Sequence, residues 1–422
     1  MSRFWHPFAD MHTVATSEVV MERADGCRIW DTAGREYLDA TAGLWFCNVG
    51  HGRGSIADAA ADQMRRLASY SNFGVYATVP TLELADRLAA LAPISDAVVF
   101  FTSGGSESVD TAGKLARRYW DAIGKPERHT LVSREFSYHG MAAFGTSLAG
   151  IAGNRQGYGG PIVEAVEHVP ANDTAALARL FEDHGDRIAA FIAEPVIGAG
   201  GVIPPVEGYW AEVNRLCRKH GVLLIADEVI TGFGRTGQMF GTTTYGIQPD
   251  MITFAKGITS GYVPFGGVFV GPRVAAPFWT EPTGAIFRHG YTYSGHAAGA
   301  AAAIANLDII ENEHLVARVR DLAPVLTREL SKLLDHPLVG EVRTVGLTAG
   351  IELADDALSA DAGLVDKVVV TARNHGVLTR NLRGRSLQIS PPFVITEAEI
   401  TEMADGIRAG LNDLVPAAAA VG

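Results

Sequence analysis

Asp227 closes the apolar run Val222-Leu223-Leu224-Ile225-Ala226, and Lys256 closes Met251-Ile252-Thr253-Phe254-Ala255. Short runs rich in Val, Ile and Leu read as strands buried on both faces, the pattern of a parallel sheet. Open α/β sheets bind ligands beyond the carboxyl ends of their strands, so these two ionisable groups are placed to meet at one ligand. A carboxylate and an amine held together there suit pyridoxal phosphate. The amine condenses with the aldehyde, and the carboxylate keeps the pyridine nitrogen protonated so that the ring accepts electrons. Taken singly, each residue has a plainer reading, Asp227 as a cap on the following turn and Lys256 as a solvated lysine. The two together are harder to explain that way.

A third segment adds a phosphate site. Ala97-Val98-Val99-Phe100-Phe101 reads as another short buried strand and runs into Thr102-Ser103-Gly104-Gly105-Ser106-Glu107-Ser108, after which Val109 to Trp120 is helical. Gly104, Gly105 and Ser106 then open a helix with bare N–H groups and a hydroxyl at the positive end of its dipole, which suits a phosphate monoester. The alternative is an ordinary turn with Ser106 as N-cap. Neither a P-loop spacing nor a complete dinucleotide fingerprint occurs.

The elements that must position these groups follow from the pattern along the chain. Val19 to Asp39 alternates well enough for short antiparallel strands, and Ser55 to Ala68 and Thr81 to Leu91 are helical. From Val98 to about Val270 strands alternate with helices, including Ile188 to Ala193 as a strand and Tyr209 to His220 as an amphipathic helix, so the middle is an α/β cofactor domain. Ala297 to Ile310 is alanine-rich, interrupted by Asn306 and Asp308, and too short to span a membrane, which takes about 20 residues. It reads as a packed helix that allows close approach. Val342 to Leu353 and Ser386 to Ile389 read as strands, and Pro416 to Ala420 as a tail that frays.

Several segments, in order, now carry a resemblance. Leu224-Ile225-Ala226-Asp227-Glu228-Val229-Ile230-Thr231-Gly232-Phe233-Gly234-Arg235-Thr236-Gly237, Pro249-Asp250 and Phe254-Ala255-Lys256-Gly257 resemble the signature of class III aminotransferases, which are fold type I pyridoxal phosphate enzymes. The likeness extends through His6-Pro7-Phe8, Gly43-Leu44-Trp45, Ser137-Tyr138-His139-Gly140, Glu194-Pro195-Val196, Gly200-Gly201-Val202 and Tyr291-Thr292-Tyr293-Ser294-Gly295-His296. Within the class the pattern is most similar to pyruvate-dependent omega-transaminases, the group that includes beta-alanine:pyruvate enzymes.

The resemblance implies roles for matching positions. Lys256 becomes the internal aldimine lysine and proton-transfer catalyst, and Asp227 the partner of the pyridinium nitrogen. Tyr138 stacks on one face of the ring, Val229 presses on the other, and Glu194 lies near the cofactor. Gly104, Gly105 and Ser106, with Thr292 of the partner subunit, hold the phosphate; where relatives often read Ser-Gly-Ser, this chain has Gly104-Gly105-Ser106 and loses a hydroxyl. Phe8 and Trp45 line the amine pocket, with Phe73 and Tyr76 as further aromatic candidates. Relatives use an arginine that swings aside for apolar donors. Arg380 aligns best, with Arg383 and Arg385 as substitutes, because a guanidinium holds a carboxylate by two parallel bonds. Tyr138 and Val229 read without the family as a loop tyrosine and a core valine, and the arginines as a solvated basic loop.

The resemblance also implies a large cofactor domain over 56–312 and a small α+β domain from both chain ends, 1–55 and 313–422. It implies a homodimer or dimer of dimers. The expected activity moves an amino group from an omega-amino acid or primary amine to a keto acid, pyruvate first, by ping-pong turnover. Another pyridoxal phosphate enzyme, such as a 2-oxoglutarate-dependent aminotransferase, an aminomutase or a decarboxylase, would need the same Lys and Asp. A catalytically dead relative or binding module should have lost one of them, and neither is lost.

Composition agrees. With 422 residues and 47% hydrophobic content the chain can bury an extensive core, and 35 basic against 47 acidic residues give a net charge of −12 that repels phosphate backbones, so no nucleic acid partner is expected. Cys27, Cys47 and Cys217 show no close pairing and read as reduced, mostly buried cytoplasmic thiols. No metal-ligand spacing and no Gly-x-Ser-x-Gly elbow appears, and the N-terminus lacks a signal-peptide core.

Overall fold

The computed structural model describes residues 3–279 and 284–415, so the expected frayed tail lies outside the described residues. Strands are numbered in chain order: β1 (Met21–Asp25), β2 (Arg28–Asp31), β3 (Glu36–Asp39), β4 (Val98–Thr102), β5 (Thr130–Arg134), β6 (Val166–Val169), β7 (Ile188–Ala193), β8 (Leu223–Asp227), β9 (Met251–Phe254), β10 (Gly266–Val270), β11 (Val339–Val345), β12 (Thr348–Leu353), β13 (Val377–Leu378), β14 (Asn381–Leu382) and β15 (Ser386–Ile389).

The central sheet has the order β4-β10-β9-β8-β7-β5-β6. Only β10 runs against its neighbours. Strands β7, β8 and β9 are buried at every position, as their unbroken apolar runs require when helices cover both faces. Their carboxyl ends therefore form one edge at which Asp227 and Lys256 emerge. The helix after β4 spans Gly105–Ala122 with Gly104 as its N-cap residue, so Ser106 lies inside the first turn rather than at the cap. The Ser106 hydroxyl instead accepts a hydrogen bond from Met141 N at 3.1 Å.

The two other sheets come from the chain ends. β1, β2 and β3 form an antiparallel meander extended by β13, which lies parallel to β3. β11, β12, β15 and β14 make a second antiparallel sheet. The alanine-rich helix Ala297–Asn312 packs against the helices Gly54–Leu67 and Val79–Leu91, its small side chains allowing the close approach expected. Cys27, Cys47 and Cys217 are all buried and free, and burial pushes each thiol well above its usual range. Among the described residues no helix is long and apolar enough to cross a membrane.

Candidate active site

At the carboxyl edge of the central sheet lies a cavity of about 150 Å³ whose walls include Leu44, Gly105, Ser106, Tyr138, His139, Glu194, Asp227, Val229 and Lys256. Strands, a helix start and two loops thus deliver to one place most of the residues singled out from the sequence.

Asp227 is the last residue of β8 and is 3% exposed. Oδ1 accepts from Thr253 Oγ1 at 3.0 Å and from Val229 N at 3.1 Å, while Oδ2 pairs with His139 Nδ1 at 2.7 Å. A buried carboxylate is tolerated when its lone pairs are satisfied in this way. The His139 Nε2 on the far side of the ring is buried and has no protein partner. The sequence assigns His139 no role; its place directly before Gly140 carries no signal, since the bond that defines it joins positions 88 apart.

Lys256 follows β9 in a left-handed backbone conformation (φ 49°), a strained geometry for a lysine that turns the side chain out of the strand direction. It is half-buried, and burial lowers the amine from its ordinary value to about 8, against the opposing pull of Asp227 and Glu194 and with a further push from Arg380. An amine poised near neutrality can exchange protons in both directions.

Glu194, 3% exposed, is held by Tyr138 N to Oε1 at 3.0 Å and Gly198 N to Oε2 at 2.8 Å. Burial raises its carboxyl above the usual range. Arg134 donates to the Glu194 carbonyl from beneath and packs its guanidinium over Tyr209 and Trp210. Tyr138 is half-buried, and its phenol is raised by burial. Gly140 has φ 86°, and a Cβ there would stand 2.5 Å from Ser106 Oγ, so only glycine lets this strap close on the helix start.

Trp45 is 2% exposed, and its indole ring has Lys256 Nζ 5.4 Å from its centroid and the Arg380 guanidinium carbon 5.8 Å away. Both are within cation–π range. The three candidate arginines separate here. Arg383 donates Nε to Gly200 O and stacks over Phe136 at 4.2 Å, and Arg385 pairs with Glu352 and Asp355. The Arg380 guanidinium makes no hydrogen bond or ion pair among the described residues; it lies over the Trp45 face and feels the charges of Tyr138 and Lys256.

Five expected positions do not line the cavity of the single chain: Gly104 adjoins it through Gly105, Trp45 and Arg380 lie beyond Lys256 on the indole side, and Phe8 and Thr292 stay outside altogether. Phe8 is 66% exposed in the N-terminal segment, and Thr292 is exposed in a turn beside Tyr291, whose hydroxyl bonds to Glu107 O at 3.3 Å. Phe73 and Tyr76 are exposed as well; Phe73 lines a separate groove of about 880 Å³ with Asn72, Phe101, Ile286, His289 and Gly295.

A pyridoxal phosphate group fits this donor set. A buried carboxylate, a half-buried amine, an aromatic side chain and a valine surround one cavity, and the helix Gly105–Ala122 opens beside it at a glycine where an added Cβ at Gly104 would meet nothing within 4 Å.

The chain matches the family model of Aminotransferase class-III over residues 10–411. It is 38% identical to a putrescine–pyruvate aminotransferase of Pseudomonas aeruginosa, with 96% of this chain and 93% of the relative covered. Among solved structures it superposes with a TM-score of 0.93 on a thermostable (S)-enantioselective omega-transaminase from Thermomicrobium roseum, at 40% identity and with 97% and 96% of the chains covered. An amine transaminase from an uncultivated Pseudomonas species, in its PLP-bound form, matches at 36% identity and TM-score 0.92, covering 98% and 99%.

Proposed function

The chain belongs to the class-III aminotransferases, and from that premise we propose that it moves an amino group from an omega-amino acid or another primary amine to a keto acid, with pyruvate as acceptor. One observation carries the reading furthest: Arg380, whose guanidinium has no hydrogen bond or ion pair among the described residues, shares an indole face with an amine held near a pKa of about 8, Lys256. One pocket thereby offers a proton-transfer group and a carboxylate holder, the two things needed to take an amine and a keto acid in turn.

Pyridoxal 5'-phosphate, which the family implies, supplies when bound an aldehyde that condenses with amines and a ring that takes up the electron pair left by a departing proton. The Lys256 Nζ would take that proton from the substrate carbon and give it up at a different carbon, as a net transfer of the amino group requires. Asp227, held by His139, Thr253 and Val229, would be the residue to meet the ring nitrogen. Tyr138 and Val229, which both line the cavity, would bound the ring, with Glu194 holding the Tyr138 backbone. Gly104, Gly105 and Ser106 offer N–H groups to the phosphate at a helix N-terminus. Arg380 receives the carboxylate of the keto acid and remains on Trp45 when the donor has none; Trp45 bounds the substrate side.

Phe8 and Thr292 complete such a site only from a second subunit or by movement of the N-terminal segment. We take the active unit as a homodimer, supported by the exposed apolar side chains Phe73, Val75, Tyr76, Val79, Ile286 and Tyr293, on two segments that Asn72 and Thr81 join by hydrogen bonds to the Ser294 and Gly295 carbonyls. Sedimentation that finds an active monomer refutes it. Residues 1–55 and 313–422 are taken as one small domain and 56–312 as the large one, supported by the parallel pairing of β3 with β13 and the ion pair Arg28–Glu402.

A donor panel run against pyruvate and against 2-oxoglutarate, with consumption of each acceptor measured, tests the reading. Faster consumption of 2-oxoglutarate than of pyruvate across the panel overturns pyruvate as acceptor.

A further inference from the structure

Trp45 stands in an unlikely backbone. Ala42, Gly43 and Trp45 have φ of 47°, 65° and 59°, so three of four consecutive residues occupy the left-handed region. Left-handed alanine and tryptophan cost energy and persist only when their surroundings impose them. At Gly43 a Cβ would meet the Phe46 ring at 2.2 Å, so the turn is also closed against its own next side chain.

What imposes the turn is Asp39, the last residue of β3, which is 0% exposed. Its Oδ1 accepts from Thr41 N at 3.0 Å and Thr41 Oγ1 at 2.8 Å; its Oδ2 accepts from Gly43 N at 2.8 Å and meets His51 Nε2 at 3.0 Å. His51 is itself fixed by an antiparallel bridge to Gly26. Burial pushes the Asp39 carboxyl up, but His51 and Thr41 outweigh it and hold the group below the usual range, so the side chain is an anion with each acceptor in use. The Thr41 carbonyl takes bonds from Gln388 Nε2 at 3.3 Å and Ser390 Oγ at 3.1 Å, which tie the turn to the strand after Arg380.

Asp39 also sits at a junction. In the parallel pair of β3 with β13, Asp39 is in register with Leu378, two residues before Arg380. The Ala40 N–H donates to Leu378 O at 3.1 Å. One strand pair therefore delivers both the indole and the guanidinium that rests on it.

We propose that Asp39 is a positioning residue of the active site: it holds the left-handed Ala42–Trp45 turn wound and so keeps the Trp45 indole beneath Arg380 and Lys256. The inference rests on the reading of Arg380 as the carboxylate holder. If the turn relaxes, Arg380 loses its platform and keto-acid binding weakens, whereas a donor without a carboxylate is bound almost as before.

The test compares Asp39→Asn, His51→Ala, His51→Gln and Arg380→Ala in the full-length holoenzyme. Asparagine keeps an acceptor for Thr41 but turns an amide toward Gly43 N and His51. Hydrogen exchange read by mass spectrometry should quicken at least tenfold in the peptide holding residues 41–47 of Asp39→Asn, with the β8 and β9 peptides unchanged. The KM for pyruvate should rise at least fivefold while the KM for a carboxylate-free amine changes less than twofold. Asp39→Asn should add nothing to the pyruvate KM of Arg380→Ala. His51→Ala should shift both readouts in the same direction by a smaller factor, and His51→Gln, which restores a donor to Oδ2, should reverse the shift; this pair decides the matter if Asp39→Asn does not fold. Normal exchange in 41–47, or quickened exchange with unchanged pyruvate KM, overturns the proposal. If Arg380→Ala itself leaves the pyruvate KM unchanged, the reading of Arg380 is what has failed, and the positioning role falls with it.

Discussion

The two sides of the candidate site are built on opposite principles. On one side Asp227 and Lys256 leave the ends of strands buried at every position, and Asp227 is bonded by residues from three other points of the chain. On the other side Trp45 and Arg380 sit on turns drawn from the chain ends. Among the described residues the indole has a buried Nε1 without a partner, and the guanidinium rests on the indole face without a hydrogen bond or ion pair. Under the proposed function, chemistry that must be the same for every substrate is placed on the rigid side, where hydrogen bonds fix both oxygens of Asp227. On the same reading, recognition that must accept a carboxylate in one half-reaction and none in the other falls to a side chain that can leave its resting contact at small cost.

Substitutions on the strand-end side should be the most damaging. Lys256→Ala should remove all measurable turnover while leaving the fold intact, and reduction with borohydride followed by peptide mapping should find the cofactor fixed to Lys256 in the parent protein. Label on Lys114, Lys125 or Lys219 would contradict the assignment. In parent protein stripped of cofactor, the rate of labelling of Lys256 by an amine reagent should reach half its maximum near pH 8, because burial favours the uncharged amine; surface lysines should titrate near ~10.4. A value for Lys256 equal to that of surface lysines would remove burial as the tuning force.

Asp227→Asn comes next. It keeps volume and some acceptor capacity but loses the charge, and preorganised charges of this kind are worth on the order of 10²–10³-fold in kcat. The variant should fold and retain some cofactor; near-normal kcat would remove Asp227 from the proposed role.

Across the site the effects should be smaller and selective. Arg380→Ala deletes a charge-assisted pair, which is worth about 1.5–3 kcal/mol and so predicts a rise in the KM for pyruvate of roughly tenfold to a hundredfold, with little change for a carboxylate-free amine. Equal changes for both substrates would show that Arg380 does not discriminate. The smallest effect on recognition is expected from Arg383→Ala. Its guanidinium already ties Gly200 to the Phe136 loop, so its loss should lower stability by about 1–2 kcal/mol, read by denaturant unfolding, and leave the pyruvate KM within a factor of about three. A larger KM effect than that of Arg380→Ala would exchange the roles of the two arginines.

The sequence by itself determined the α/β class and the strand-end half of the site. Runs such as Leu223–Asp227 and Met251–Phe254 are apolar throughout because helices cover both faces, and an ionisable residue ending such a run must emerge at the sheet's carboxyl edge. The family motifs added Tyr138, Val229 and Arg380 as candidates, but three arginines within six positions could not be separated by spacing. Only the tertiary structure decided that Arg383 and Arg385 are engaged by partners from Gly200, Phe136, Glu352 and Asp355. It alone brought His139 to Asp227 and set β13, with Arg380 beyond it, against the strand that leads into the Trp45 turn. The physical reason is reach. Hydrophobic periodicity records which face a residue presents to its own neighbourhood, while a hydrogen bond or cation–π contact between segments far apart in the chain leaves no periodic trace and exists only once the sheets have packed.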